Sequence, residues 1–77
     1  MRFKGVQMGQ LVTIQLNGSS FEIADGTSVI DLLEAKEINP LQVVVEWNLN
    51  ILKATQLNTT LLKKGDTVEV LRFVGGG

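Results

Sequence analysis

The chain ends in three consecutive glycines, Gly75 to Gly77, directly after Phe73 and Val74. Glycine has no Cβ atom and allows another backbone to approach closely, so such an end can enter the active site of a second protein. The reactive group of this segment is the α-carboxylate of Gly77, which becomes an acyl donor once it is activated, for example as an acyl-adenylate. The pattern favours a carboxylate that another enzyme uses as its substrate, and an ordinary frayed terminus is the alternative.

The rest of the sequence offers little catalytic chemistry, since it contains no His, Cys or Tyr. General acid–base catalysis near neutral pH most often uses His, or a carboxylate or lysine whose pKa has been displaced by burial. We expect the eight acidic residues to lie on solvated surfaces and turns. They form no calcium-binding loop motif, the glycines form no phosphate-binding motif, and zinc favours His and Cys. We therefore predict no catalytic residue, no bound cofactor and no metal.

Length and charge limit the classes of partner. A chain of 77 residues forms one domain, and seven basic against eight acidic residues supply no positive field for nucleic acid. We find no signal peptide and no apolar run of about 20 residues that would span a membrane. The absence of cysteine suits a reducing cytoplasm. We expect a cytoplasmic protein with a flexible extension at residues 1–10, a folded domain at 11–74 and a flexible glycine tail at 75–77.

Alternation of apolar and polar residues predicts a β-hairpin near the start of the domain. Apolar side chains occupy every second position in residues 11–16, which is the period of a half-buried strand. Asn17 and Gly18 then form the dipeptide best suited to a tight hairpin turn. The alternation resumes with Phe21 and Ile23 in the second strand.

A helix is predicted after the hairpin. Ser28 is a favourable N-cap residue, and Asp31 follows it at the spacing of a capping box. Apolar residues then recur at three- and four-residue intervals within residues 29–38, as on the buried stripe of a surface helix. Because Pro40 disfavours helical angles in the residue before it, the helix should end by about Ile38.

The second half of the sequence predicts further strands at residues 42–47, 51–52 and 67–74, the second of them short. For residues 57–64 we expect a single helical turn with Leu61 and Leu62 packed against the core. The element order indicates an α+β protein with the ubiquitin-like β-grasp fold. In that fold a mixed sheet of four to five strands has the last long strand at its centre, and one main helix covers one face.

The final strand suggests a docking surface. If Val68 points toward the helix, alternation places Leu71 and Phe73 on the open face of the sheet. Exposed apolar side chains beside the tail are candidates for partner docking, unless a twist or bulge of the strand buries them. Val44 and Trp47 lie on opposite faces of their strand, and the sequence does not decide which of them is exposed.

Five short motifs follow one another along residues 11–77: I-Q-L-N-G at 14–18, T-x-x-x-D-L-L at 27–33, V-V-V-E-W-N at 43–48, K-K-G-D-x-V-E-V at 63–70 and F-V-G-G-G at 73–77. Each internal motif is common among small β-grasp domains, whereas their order together with the glycine end is specific. On this basis the sequence resembles the thiamine-biosynthesis sulfur carriers, a β-grasp family whose members end in Gly-Gly. Residues 1–10 depart from the family pattern.

The resemblance implies a carrier that other enzymes act on. An E1-like adenylating enzyme would use ATP to activate the carboxylate of Gly77, and a sulfur-relay protein such as a cysteine desulfurase would supply sulfur for a thiocarboxylate. Thiazole synthase would then receive that sulfur. By the same resemblance Gly77 carries the sulfur, Gly76 completes the functional pair and Gly75 adds flexibility to the tail.

Three other functions are compatible with the sequence. The small subunit of molybdopterin synthase uses the same terminal chemistry, but that family tends to carry a proline shortly before its glycines, and this tail has none. A ubiquitin-like modifier would instead form an isopeptide bond with a lysine. A stand-alone β-grasp binding module would have no use for the glycines.

Overall fold

A computed structural model of the protein describes residues 10–73. In chain order the main elements are β1 Leu11–Leu16, β2 Ser19–Ala24, α1 Val29–Ala35, β3 Val43–Trp47, β4 Asn50–Ile51 and β5 Thr67–Arg72, with short 3-10 helices at Pro40–Gln42 and Ala54–Gln56. The five strands form one sheet in the order β2-β1-β5-β3-β4. The β1–β5 pair is parallel and the other three pairs are antiparallel. The predicted α+β class, the mixed sheet and the central final strand are confirmed.

The first hairpin has the predicted turn, and its asparagine has a second role. Asn17 and Gly18 adopt positive φ angles of 49° and 83°, as the favoured two-residue hairpin turn requires. The Asn17 side chain also reaches β5, where its Oδ1 atom accepts a hydrogen bond from the Val70 amide at 2.7 Å. Its Nδ2 atom donates to the Val70 carbonyl at 3.4 Å. One side chain therefore continues the β1–β5 pairing beyond the end of β1.

The helix begins where its N-cap predicts. Ser28 is the N-cap residue, and its Oγ atom accepts a hydrogen bond from the Asp31 amide at 3.1 Å. The helix buries Val29, Leu32 and Leu33 against the sheet. It has seven residues, and no helix within residues 10–73 has the length and hydropathy needed to cross a membrane.

The helix ends at Ala35, three residues before the expected limit at Ile38. Glu37 adopts a left-handed conformation with φ 59°, and the Ile38 amide donates to the Leu33 carbonyl at 2.8 Å. This hydrogen bond is typical of a Schellman C-cap, in which the left-handed position is usually glycine. Because glutamate occupies that position, the sequence carried no local signal for the end, and Pro40 begins the following 3-10 helix instead.

The core lies between α1 and one face of the sheet, and its buried apolar residues are Ile14, Ile23, Val29, Leu32, Leu33, Val43, Val45, Leu57, Leu62 and Val68. The prediction for residues 57–64 was partly wrong. Leu62 is buried, but Leu61 is 57% exposed, and the helical turn lies earlier, at Ala54–Gln56. Leu61 forms an isolated bridge with Ser28. In such extended backbone, neighbouring side chains point to opposite sides, so only one of the two leucines can enter the core.

Candidate functional site

The end of β5 exposes two large apolar side chains, as alternation predicts. Leu71 is 59% exposed and Phe73 is 58% exposed, whereas Val68 is fully buried. Leu71 lies directly opposite Val44, on the face of the sheet away from α1. A docking role for Leu71 and Phe73 stays a prediction. The sites predicted at Gly75, Gly76 and Gly77 lie outside the described residues.

Hydrogen bonds hold the end of β5 on both sides. On one side the Phe73 amide donates to the Gln42 carbonyl at 2.9 Å, and Arg72 Nη1 donates to Gln42 Oε1 at 3.5 Å. On the other side Asn17 binds both main-chain polar groups of Val70. The chain therefore leaves the domain from a fixed point on its central strand.

The open face near this point combines apolar and acidic side chains. Beside the Val44–Leu71 pair, Glu46 lies directly opposite Glu69. Like charges at directly opposite positions destabilise an antiparallel pair. Fold stability therefore does not explain the placement of these two carboxylates beside exposed apolar residues.

The two residues whose exposure the sequence left open are both partly buried. Val44 is on the open face, in register with Leu71. Trp47 is on the opposite face, packs against the core and donates from Nε1 to Asp66 Oδ2 at 3.1 Å. Trp47 is thus part of the folded interior, and Val44 is the one that contributes to the open face.

An apolar groove of about 300 Å³ borders the same region and is lined by Pro40, Leu41, Val43, Val44, Val45, Ile51, Leu52, Ala54, Leu57 and Phe73. It lies at the outer edge of β3, beside the two-residue strand β4. Phe73 belongs both to the groove and to the exposed end of β5, so the two surfaces are continuous.

Asp66 corrects the expectation that the carboxylates are solvated, because it is only 5% exposed. Its carboxylate accepts hydrogen bonds from Trp47 Nε1, Asn48 Nδ2 and the Lys63 amide at 3.0 to 3.1 Å. Burial opposes ionisation of Asp66, but the hydrogen bonds from Asn48, Lys63 and Trp47 outweigh it, so the pKa of Asp66 lies below its ordinary value of 3.8.

This arrangement is structural, because a carboxylate with a lowered pKa and three donors is a poor proton shuttle near neutral pH. The sequence contained one indication of a buried acceptor, the single tryptophan Trp47, since a buried Trp usually needs a hydrogen-bond acceptor for its N–H group. No group of three or more His, Cys, Asp or Glu residues in the described part of the chain is placed to hold a metal ion.

A five-stranded mixed sheet in this order, with one helix on one face, defines a ubiquitin-like β-grasp protein. Its central strand ends at Arg72, five residues before the last residue of the sequence, Gly77. The sequence model of the ThiS family matches residues 14–77, which is most of the chain. The chain therefore belongs to the ThiS family.

Individual relatives agree with this assignment. The sulfur carrier protein ThiS of Bacillus subtilis (strain 168) is 34% identical over 65 residues, which cover 83% of this chain and 98% of that protein. The crystal structure of the thiamine biosynthesis protein ThiS from Geobacter metallireducens superposes with a TM-score of 0.76 at 33% identity, covering 86% of this chain and all of that one. A thiazole synthase of Magnetococcus marinus is 33% identical over 64 residues, which cover 83% of this chain but 20% of that enzyme.

Proposed function

We propose that this protein is a sulfur carrier in thiamine biosynthesis and that the carboxylate of Gly77 carries the sulfur as a thiocarboxylate. The observation that carries the proposal is the ThiS family match, which extends through the terminal glycines to residue 77. The likeness to the sulfur carrier of Bacillus subtilis over nearly its whole length supports the same function.

The chemistry would proceed on a partner enzyme. A carboxylate oxygen of Gly77 attacks the α-phosphate of ATP in the active site of an E1-like adenylating enzyme, and pyrophosphate leaves. The persulfide of a sulfur-relay protein such as a cysteine desulfurase then attacks the acyl-adenylate, and AMP leaves. A thiol cleaves the resulting acyl disulfide, which releases the thiocarboxylate and leaves a disulfide between the thiol and the relay sulfur. ATP belongs to the adenylating enzyme, so this chain acts as a co-substrate and needs no cofactor of its own.

The fixed start of the tail explains why docking should occur beside it. Four residues follow Phe73, and an extended chain spans at most about 3.6 Å per residue. The carboxylate can therefore reach no more than about 14 Å beyond Phe73. The partner must bind close to the end of β5, where Leu71, Phe73 and Val44 offer apolar contact.

The acceptor of the sulfur is proposed to be thiazole synthase. The thiazole synthase of Magnetococcus marinus contains a segment similar to this chain, which supports a functional connection between such carriers and that enzyme. These partners are metabolic enzymes that use ATP and reduced sulfur, in keeping with a cytoplasmic location for this chain.

Intact-mass measurement tests the proposal directly. The purified protein is incubated with ATP, the adenylating enzyme of the same organism, a persulfide donor and a thiol reductant. The expected result is a mass gain equal to the exchange of one oxygen for one sulfur, located at Gly77 by fragmentation. No exchange, with an enzyme shown to be active on another carrier, contradicts the proposal. Conjugates with other proteins would indicate a modifier instead.

A second step identifies the acceptor. The sulfur-loaded protein is mixed in separate reactions with thiazole synthase and with the large subunit of molybdopterin synthase. We expect thiazole synthase to discharge the thiocarboxylate. Discharge by the molybdopterin synthase subunit alone would assign the chain to that pathway.

The substitution Leu71→Asp should weaken binding to the adenylating enzyme. Leu71 is exposed beside the tail, so a charge there removes apolar contact with the partner without disturbing the core. We expect an affinity loss of about 10- to 100-fold, measured by isothermal titration calorimetry. The melting temperature should stay within about 4 °C, as for most surface substitutions.

Leu11→Asp is the matched control. Leu11 is 67% exposed, and the strand register places it on the same face as Leu71, roughly 26 Å away along the strand direction. We expect less than a twofold change in affinity for this variant, as for a substitution outside an interface. Equal losses for the two variants would mean that Leu71 has no special role in docking.

A further inference from the structure

The open face of the sheet is acidic. The strand register places Glu22, Glu46 and Glu69 on the side away from α1, and within the described residues no strand position on that side holds lysine or arginine. Glu46 and Glu69, the acidic pair, lie directly opposite each other, so their Cβ atoms are about 4.5–5.5 Å apart. Both residues are half-buried, which strengthens their repulsion. A cation bound beside the acidic pair would relieve this repulsion.

Residues 1–9, the N-terminal arm, have the opposite charge. The arm reads M-R-F-K-G-V-Q-M-G and lies outside the part of the chain that the structure describes. It holds Arg2 and Lys4 and no acidic residue, whereas residues 10–77 hold five basic and eight acidic residues. The family model begins at residue 14, so the arm is not part of the region that defines the family. Its charge makes it a ligand within the same chain for the acidic pair.

The attachment of the arm to the sheet sets where the arm can turn. The Gln10 carbonyl accepts a hydrogen bond from the Asp25 amide at 2.8 Å, so the chain is still held beside β2 at residue 10. A segment that folds back over the sheet must therefore reverse at Gly9. Glycine is the residue that adopts the backbone angles of tight turns without steric cost.

The length of the arm matches the distance to the acidic pair. From Gly9 an extended backbone spans at most about 18 Å to Lys4 and about 25 Å to Arg2. By the β1–β5 register Glu69 lies six positions beyond Leu11, which is about 20 Å along the strands. The two basic residues can therefore lie on either side of this position.

The spacing of the two basic residues places both of them on one side of the arm. Arg2 and Lys4 are two positions apart, and in extended backbone such side chains point to the same side. Phe3, between them, points to the other side. An arm that lies across the open face can thus present two cations to two carboxylates.

We propose that the N-terminal arm folds back over the open face and that Arg2 and Lys4 form ion pairs with the acidic pair. An arm held in this way is not the flexible extension expected from the sequence. The acidic pair adjoins Val44 and Leu71, where the proposed function places the adenylating enzyme, so the arm competes with that enzyme. The competition rests on the proposed function, whereas the contact within the chain does not.

A nitroxide label on the arm tests the contact in the isolated protein by NMR. The sequence contains no cysteine, so Phe3→Cys provides a single labelling site on the side of the arm that points away from the sheet. At low salt we expect the label to raise the relaxation rates of the acidic-pair amides at least about threefold more than those of Asp31 and Glu34 on α1. Salt at about 1 M, which shortens the Debye length to about 3 Å, should remove this preference.

The labelled protein that also carries Arg2→Ser and Lys4→Ser is the matched control. Its arm has the same length and the same label, and residues 10–77 are unchanged. We expect the label to affect the acidic-pair amides and the α1 amides equally in this variant. The proposal is overturned if the preference persists without the two cations, or if the labelled parent arm shows no preference.

Isothermal titration calorimetry with the adenylating enzyme of the same organism measures the competition. Two exposed ion pairs correspond to occupancy of the face for about half to four-fifths of the time. Because only the uncovered fraction can bind, Arg2→Ser together with Lys4→Ser should tighten binding about two- to fivefold. Unchanged or weaker binding would contradict the competition. If the enzyme neither binds nor adenylates the parent protein, the carrier function fails, and the label still decides whether the arm covers the face.

Discussion

Removing Gly76 and Gly77 is expected to abolish adenylation while leaving the fold intact. The shortened tail places its carboxylate about 7 Å closer to Phe73, and misplacement by even 1 Å can reduce the rate about 100-fold. The buried core runs from Ile14 to Val68, so we expect the melting temperature to change by less than about 2 °C. ATP–pyrophosphate exchange and thermal unfolding measure the two quantities.

Deletion of a single glycine tests whether adenylation depends on the length of the tail or on the identity of its last two residues. Any such deletion leaves a chain ending in Phe-Val-Gly-Gly, which keeps the family's terminal pair and shortens the tail by about 3.6 Å. If reach limits the reaction, this variant loses activity as well; if the Gly-Gly end suffices, it stays active. Adenylation of the chain that lacks Gly76 and Gly77 would contradict the proposed site. A large fall in the melting temperature of that variant would show that these two glycines stabilise the fold.

The parts of the fold that could be predicted are those with local signals. Strict alternation and the Asn17-Gly18 turn identified the first hairpin, and Ser28 identified the start of the helix. In each case the deciding interactions connect residues close in sequence. The exposure of Leu71 followed from alternation along one strand, once Val68 was assigned to the core.

The features that were missed depend on contacts between distant segments. Burial of Asp66 requires Trp47 and Asn48, which lie in another strand and its turn. Leu61 and Leu62 are adjacent residues of the same type, so the sequence does not distinguish them. The bridge between Leu61 and Ser28 decides which leucine is buried.

The apolar groove beside β3 could not be predicted for a related reason. The groove follows from the two-residue length of β4 and from the early turn of the chain after Leu52. The sequence indicated a short return strand but not where it separates from β3. The candidate surface beside the tail was therefore predicted from its exposed side chains alone, without the groove next to them.

Asp66→Ala should strongly destabilise the domain. The substitution leaves Trp47 Nε1, Asn48 Nδ2 and the Lys63 amide without their acceptor, and each buried unsatisfied group costs about 1–3 kcal/mol. Allowing for partial solvation of the donors, we expect the free energy of unfolding to fall by about 2–4 kcal/mol. For a domain of this size that lowers the melting temperature by about 10–20 °C.

Asp25→Ala is the control, because Asp25 is also a turn aspartate beside a glycine but is exposed. Its backbone amide, which donates to the Gln10 carbonyl, is retained in alanine. We expect a change within about 0.5 kcal/mol for this variant. Denaturant unfolding monitored by Trp47 fluorescence measures both variants, and a loss at Asp25 equal to that at Asp66 would contradict the role of the buried hydrogen bonds.

The same carboxylate predicts a direction for the pH dependence of stability. Because the pKa of Asp66 in the folded protein lies below its ordinary value of 3.8, the folded state favours the ionised form. Its contribution is fully present above pH 3.8 and is lost as the pH falls through the lower pKa of the folded state.

The isosteric variant Asp66→Asn isolates this contribution, since its amide has one acceptor oxygen. Its NH₂ group must face either Asn48 Nδ2, or Trp47 Nε1 and the Lys63 amide, all of which are donors. The difference in unfolding free energy between the parent and this variant should be constant near neutral pH and shrink as the pH falls below 3.8. A difference that grows on acidification would mean that protonated Asp66 is the form that the fold prefers.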